Sequence, residues 1–278
     1  MTLAMHKAVR TMLDDRHPDA VLNIESHFYD MTIMSPSCEY ELDVGKHLWL
    51  NKGRWSRLIK EYVPRVHLDR FVSQSVEIVC GEARQGATAN MLFRDPDRYA
   101  KKHRWGGCLM GATFRGSHPD QPTITFYSRT TYVGYMGLLD AGIAHNLARE
   151  ICTHVNGLQV KDIAFRWCIT SGQLHCFKTL PFVFSQPDLM KKLEQAAASI
   201  TKNKAAAKAE LPPTWYHMAV WYNKILAAHK LHGLDMLAHE KYGPFKRIKR
   251  RWMEHKRLLS KHVPPSLNIS TLGFEKAE

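Results

Sequence analysis

Apolar residues recur at helical spacing from Leu138 to Val155, where Leu139, Ile143, Leu147 and Ile151 share one stripe. A stripe of that period predicts a buried helix. The flanking segments follow a different pattern. Cys108 to Phe114, Thr123 to Thr131 and Ile163 to Thr170 are read as strands, and Gly116-Ser117-His118-Pro119-Asp120 supplies a turn between the first two. The middle of the chain is thus predicted as strand, strand, helix, strand.

The rest is more uneven. Leu3 to Leu13 reads as a short helix, followed by a turn at His17-Pro18-Asp19 and a β-prone stretch from Val21 to Ile33. Glu39 to Val44 alternates polar and apolar, which predicts a half-buried strand. Lys52 to Tyr62 predicts an amphipathic helix that stops before Pro64. Phe71 to Val79 fits helix or strand, and Arg94 to Arg104 reads as a basic loop. Pro187 to Ile200 predicts a helix announced by Ser185-Gln186-Pro187-Asp188. Residues 199–213 are rich in Ala and Lys, end in Pro-Pro, and read as a linker. Beyond them Trp215, Met218, Val220, Trp221, Ile225 and Leu226 predict a helix with an aromatic face, and Lys246 to Lys261 a basic one. The expected organisation is an α+β domain over 1–198, a linker over 199–213, a basic helical segment over 214–262 and a tail over 263–278.

Composition narrows the class. The 278 residues are 45% hydrophobic and 23% charged, as in ordinary folded soluble proteins. No apolar run approaches the roughly 20 residues of a membrane span, and the N-terminus lacks an apolar signal stretch. The expectation is a cytosolic protein with no membrane partner. The six cysteines show no CxxC spacing, so no metal is expected, and core thiols are their default reading. The formal net charge of +13 favours anionic partners. Residues 214–262 hold eleven Lys/Arg against three acids, a local excess of +8.

Candidate chemistry centres on Cys108, which follows Gly106-Gly107 and precedes a strand. The later Arg129-Thr130 pair offers a guanidinium and a hydroxyl suited to a phosphate. A thiol near a phosphate-binding arginine suggests covalent attack on a nucleotide. Each residue also has a plainer reading. Cys108 fits a core position, Asp140 a helix N-cap, and His175 a structural histidine among sixteen.

The stretch from Trp105 to Phe177 resembles the thymidylate synthase superfamily, which includes pyrimidine nucleotide hydroxymethylases. The matching pieces, in order, are Cys108, Arg129-Thr130, Asp140 near a helix start, and Ser171-Gly172-Gln173-Leu174-His175-Cys176-Phe177. The resemblance implies a mixed or antiparallel sheet with helices on one face, and a homodimer joined through that sheet. It implies that Cys108 adds to C6 of a pyrimidine nucleoside monophosphate, with 5,10-methylenetetrahydrofolate as one-carbon donor. Arg129 and Thr130 would hold the phosphate, helped by Arg94, Arg98 or Arg104, and His175 would contact the sugar. Asp140 stands where uridylate enzymes carry Asn, which implies a cytosine base. Glu77 and Glu82 are the candidates for general base.

Four positions depart from the family pattern. Phe177 replaces a tyrosine, Gln173 and Tyr132 replace aspartates, and Gly107-Cys108-Leu109 replaces Pro-Cys-His. They imply an altered substrate or a fold that has lost catalysis. The alternative function is single-stranded DNA or RNA binding, perhaps in phage replication or transcription. Its cations are Lys246, Arg247, Lys249, Arg250 and Arg251, and its stacking rings are Trp252, Trp215, Tyr216, Trp221 and Tyr222.

Overall fold

The computed structural model describes residues 1–22, 24–41, 63, 65–93, 108–116 and 121–232. Its elements run α1 (Thr2–Asp14), β1 (Ala20–Leu22), β2 (Glu25–Ser35), α2 (Arg65–Val79), β3 (Ala89–Leu92), β4 (Leu109–Arg115) and β5 (Thr123–Tyr132). Then come α3 (Met136–Cys152), a 3-10 turn (Val160–Asp162), β6 (Ala164–His175), α4 (Cys176–Phe184), α5 (Pro187–Lys202), α6 (Lys204–Glu210) and α7 (Pro213–His232). The fold is mixed α+β. Six strands form one sheet in the order β1-β2-β6-β5-β4-β3. β3, β4 and β5 pair antiparallel, while β5 and β6 pair parallel. A parallel pair needs a crossover, and α3 supplies it.

The described residues fall into two compact units, divided within β6 between Gln173 and Leu174. The first holds residues 1–12 and 27–41 and the described residues from 65 to 173. Its core follows from strand alternation. Ile124, Phe126 and Ser128 of β5 are buried while Thr125 and Tyr127 are not. Phe126 pairs with Ala112 on one side and Trp167 on the other, so one buried row crosses three strands. Phe93 and Phe165 meet Phe126 edge-on at 5.1 and 5.5 Å between ring centres, an arrangement that aromatic quadrupoles favour. Helix α2 packs on β3, β4 and α3 through Phe71, Val72 and Ile78. Helix α3 packs on β5 and buries the predicted stripe of Leu139, Ile143, Leu147 and Ile151.

The second unit holds residues 13–26 and the described residues from 174 onward. Within it α5 and α7 pack together through residues such as Leu193, Ala196, Trp215 and Met218. Asp14 accepts hydrogen bonds from Lys192 Nζ at 2.5 Å and Trp215 Nε1 at 2.7 Å.

Three expectations are corrected. Residues 39–41 form no strand. The Met1 ammonium donates to the Glu39 carbonyl, Tyr40 N–H to His145 Nδ1, and Glu41 N–H to Thr2 Oγ1, so their backbone bonds go to α1 and α3 rather than a ladder. Phe71–Val79, open between helix and strand, lies in α2. Residues 199–213, read as a linker, are mostly helical. Asn203 accepts from Ala205 and Ala206 N–H, both at 3.1 Å, and so starts α6 in a run of strong helix formers. Pro213 then opens α7, where its missing N–H costs nothing. The expected elements at 52–62 and 246–261 and the basic loop at 94–104 lie outside the described residues.

Candidate functional site

Strands β4 and β5 bring the first two candidates together. Cys108 sits one residue before β4, and its carbonyl accepts the Arg129 N–H at 2.9 Å. Leu109 opposite Ser128 sets the register, so Cys108 and Arg129 are the next cross-strand neighbours. Opposed residues in an antiparallel ladder have Cβ atoms on the same side, about 5 Å apart. Both residues are exposed. A thiol and a guanidinium thus project side by side from the end of a rigid two-strand ribbon. Thr130 follows, half-buried, and pairs with Ser171 of β6.

Asp140 comes to the same region from the helix. It is the fifth residue of α3, not its N-cap; Tyr135 is the cap, and it makes no side-chain cap bond. The N-cap reading is therefore wrong, and the reason is that the helix starts at Met136, a turn earlier. The carboxyl is buried, with 5% of the residue exposed. Thr131, itself buried, donates from Oγ1 to Asp140 Oδ2 at 3.3 Å. Burial pushes the Asp140 carboxyl up to about 7, and the Thr131 hydrogen bond opposes this. Near neutral pH the group is therefore poised between a carboxylate, which only accepts, and a carboxylic acid, which donates and accepts. Tyr40 is driven up first by its burial and then by the Asp140 charge.

His175 ends β6 and belongs to the second unit. Its Nδ1 accepts the Lys178 N–H at 3.4 Å, and its carbonyl accepts from Thr179 Oγ1 at 2.9 Å. Burial, then the charge of Lys178, lower the imidazole to about 4 against the pull of Glu25. The 3.9 Å approach of Nε2 to Glu25 is therefore a contact of a neutral ring at physiological pH, not an ion pair.

The candidate bases lie elsewhere in the first unit. Glu77, near the end of α2, and Glu82, just after it, are both exposed. They line an open groove of about 540 Å³ with Arg65, Asp69, Glu150 and His154, and its described lining contains none of Cys108, Arg129 and Asp140. Arg94, Arg98, Arg104, Lys246, Arg247, Lys249, Arg250, Arg251 and Trp252 lie outside the described residues.

Two broader expectations are corrected. Only Cys38 and Cys176 are buried; Cys80 and Cys108 are exposed, and Cys152 and Cys168 are intermediate, so most cysteines are not core residues. Of the rings assigned to stacking, Trp215, Tyr216 and Tyr222 are buried. The Trp215 ring is held by the indole bond to Asp14 and by Lys192 Nζ, 5.2 Å from its centre. These rings pack α7 into its unit and offer no free face to a base. Among the described residues, no group of three or more His, Cys, Asp or Glu is placed to hold a metal ion, and no helix is long and apolar enough to cross a membrane.

Sequence reading missed Thr131. The signal was there, since it follows the Arg129-Thr130 pair directly. What was lacking was the geometry by which the turn after β5 folds α3 back onto the end of that strand. No family model matches the chain, and no curated protein matches it.

Proposed function

We propose that this chain binds a cytidylate-type pyrimidine nucleotide and activates its C5 position for one-carbon transfer, in the manner of the thymidylate synthase superfamily it resembles. One observation carries the reading: the backbone pairing of Cys108 with Arg129, both exposed, with the buried Asp140 carboxyl joined to the same strand through Thr131. Arg129 would hold the 5′-phosphate as a bidentate, charge-assisted fork. Cys108 Sγ, as thiolate, would add to C6 of the ring. The C5–C6 π pair would move onto C5, which becomes the nucleophile toward the one-carbon unit. Loss of the C5 proton, then expulsion of the thiolate, would restore the ring.

The donor would be 5,10-methylenetetrahydrofolate, which supplies a methylene group when bound. Among the described residues no set of side chains forms an evident pterin cradle, and the chain's own part ends with the activated C5 carbon. Glu77 and Glu82 are not brought to Cys108, so neither is retained here as the base. The homodimer implied by the family likeness is part of the same proposal.

The test is release of tritium from [5-³H]dCMP in the presence of the folate. Wild type should release it. Cys108→Ala should lower the rate by at least about three powers of ten, as loss of a covalent nucleophile does, while dCMP still binds. Equal release from both proteins would remove Cys108 from the chemistry. No release and no nucleotide binding by wild type would end the reading.

A further inference from the structure

A neutral carboxyl is an ambiguous reader of pyrimidines. It has one O–H donor and one carbonyl acceptor. Cytosine presents an acceptor at N3 and a donor at its 4-amino group, and uracil presents the reverse. If the acidic proton can sit on either oxygen, the same carboxyl serves both bases. Discrimination needs something that decides which oxygen carries the proton.

The structure provides one. Thr131 and Asp140 are 3% and 5% exposed, and the Thr131 hydroxyl donates to Oδ2 at 3.3 Å. An oxygen that receives a hydrogen bond is the poorer site for a proton, so the acid's proton goes to Oδ1. Thr131 is fixed on β5 by its pairing with Gly172. Beside Gly172, Met31, Val133 and Met12 crowd the place a side chain would take, which leaves the threonine little room to change rotamer. We propose that Thr131 is a specificity-determining residue: it fixes Oδ2 of Asp140 as the acceptor and Oδ1 as the donor, and so selects cytosine over uracil. The proposal rests on the nucleotide reading above.

Burial is the main influence on the carboxyl, and the Thr131 bond is the other. Tyr40, after β2, is the titratable neighbour whose ionisation couples to it. Among the described residues no charged group on α2, β5 or the 3-10 turn acts on it.

The experiment measures dCMP and dUMP binding to the full chain by calorimetry at pH 6 and pH 8, for wild type, Thr131→Val and Thr131→Ser. Valine keeps the shape and removes the donor. It should raise dUMP affinity and cut the dCMP-to-dUMP preference at pH 6 by about tenfold, the worth of one such hydrogen bond. Serine keeps the donor and should retain the wild-type preference. A purely structural role predicts weaker binding of both nucleotides and no gain for dUMP; that outcome, or serine behaving as valine, overturns the proposal. The carboxyl titration, followed by the infrared C=O band lost in Asp140→Asn, separates the two claims. Thr131→Val should move its midpoint upward even if wild type binds neither nucleotide, in which case the nucleotide reading alone fails. An unmoved midpoint overturns the role of Thr131.

Discussion

Asp140 carries the sharpest consequence at the scale of single residues. Its carboxyl is raised from an ordinary value of 3.8 to about 7 because burial penalises the charge. A group raised in the folded state binds its proton more tightly there than in the unfolded chain. Its contribution to stability is complete below pH 3.8 and is lost as pH rises through about 7. The full span is on the order of 4 kcal/mol, a ceiling for a carboxyl that can relax when it ionises. Asp140→Asn keeps the volume and removes the titration. Urea midpoints should therefore fall for wild type between pH 5 and pH 8, while the variant stays flatter and becomes the more stable of the two at pH 8. Parallel pH profiles would show that the carboxyl is not buried as described. Little of this was legible in the sequence. The type of residue at 140 was visible, but its burial depends on which turn of α3 it occupies, and that was set by a helix start at Met136 that no strong capping residue announces.

Among the elements, β4, β5, β6 and α3 were largely legible because their periods are clean and their partners nearby in sequence. The α2 helix was not: Phe71 to Val79 holds enough β-branched residues to mask a helical face whose partners are strands β3 and β4. Glu39–Glu41 alternates like a strand but spends its backbone donors on a terminal carbonyl's partner helix and on side chains, which no local pattern records. The junction between β5 and α3 is the element-level feature on which the site depends. Trp167 of β6 lies under it, with Nε1 donating to Ser128 Oγ at 2.8 Å in a buried setting. A Cβ at Gly137 would stand 3.0 Å from the Trp167 ring, and that ring is pinned. Gly137→Ala should therefore destabilise by about 1–3 kcal/mol, as overpacking does. Ser128→Ala alone should cost about 1–3 kcal/mol by orphaning the indole N–H. Because the second change frees the ring that the first collides with, the double variant should lose less than the two losses added. A denaturation cycle on the four proteins reads this coupling directly, and strict additivity would mean that Trp167 is not the obstacle.

For the molecule as a whole, the question is what the uncovered sheet face of the first unit does. Register places Leu92, Gly111, Tyr127 and Cys168 in one row across β3, β4, β5 and β6. Leu92 is 61% exposed and Tyr127 39%, and Met110, bulged out beside Gly111, is 48% exposed. At Gly111 a side chain would meet the Met91 carbonyl at 3.0 Å, so the row is flat there. Flat, apolar and rigid is the character of a surface that pairs with its own kind, and about 800 Å² from each partner suffices for a specific dimer. The net charge of +13 works against self-association through long-range repulsion, so the pairing should be stronger in salt. Light scattering in 0.3 M salt should give twice the chain mass of 32.0 kDa. Replacing Tyr127 by Asp should return the monomer mass, since a carboxylate at the centre of an apolar interface costs several kcal/mol, while leaving the helical signal unchanged because the position is exposed. A wild-type monomer under these conditions would refute the dimer. An Asp variant that stays dimeric would move the interface off this face, and it would also leave the exposed Cys108–Arg129 edge without the partner-borne arginines that the family likeness implies.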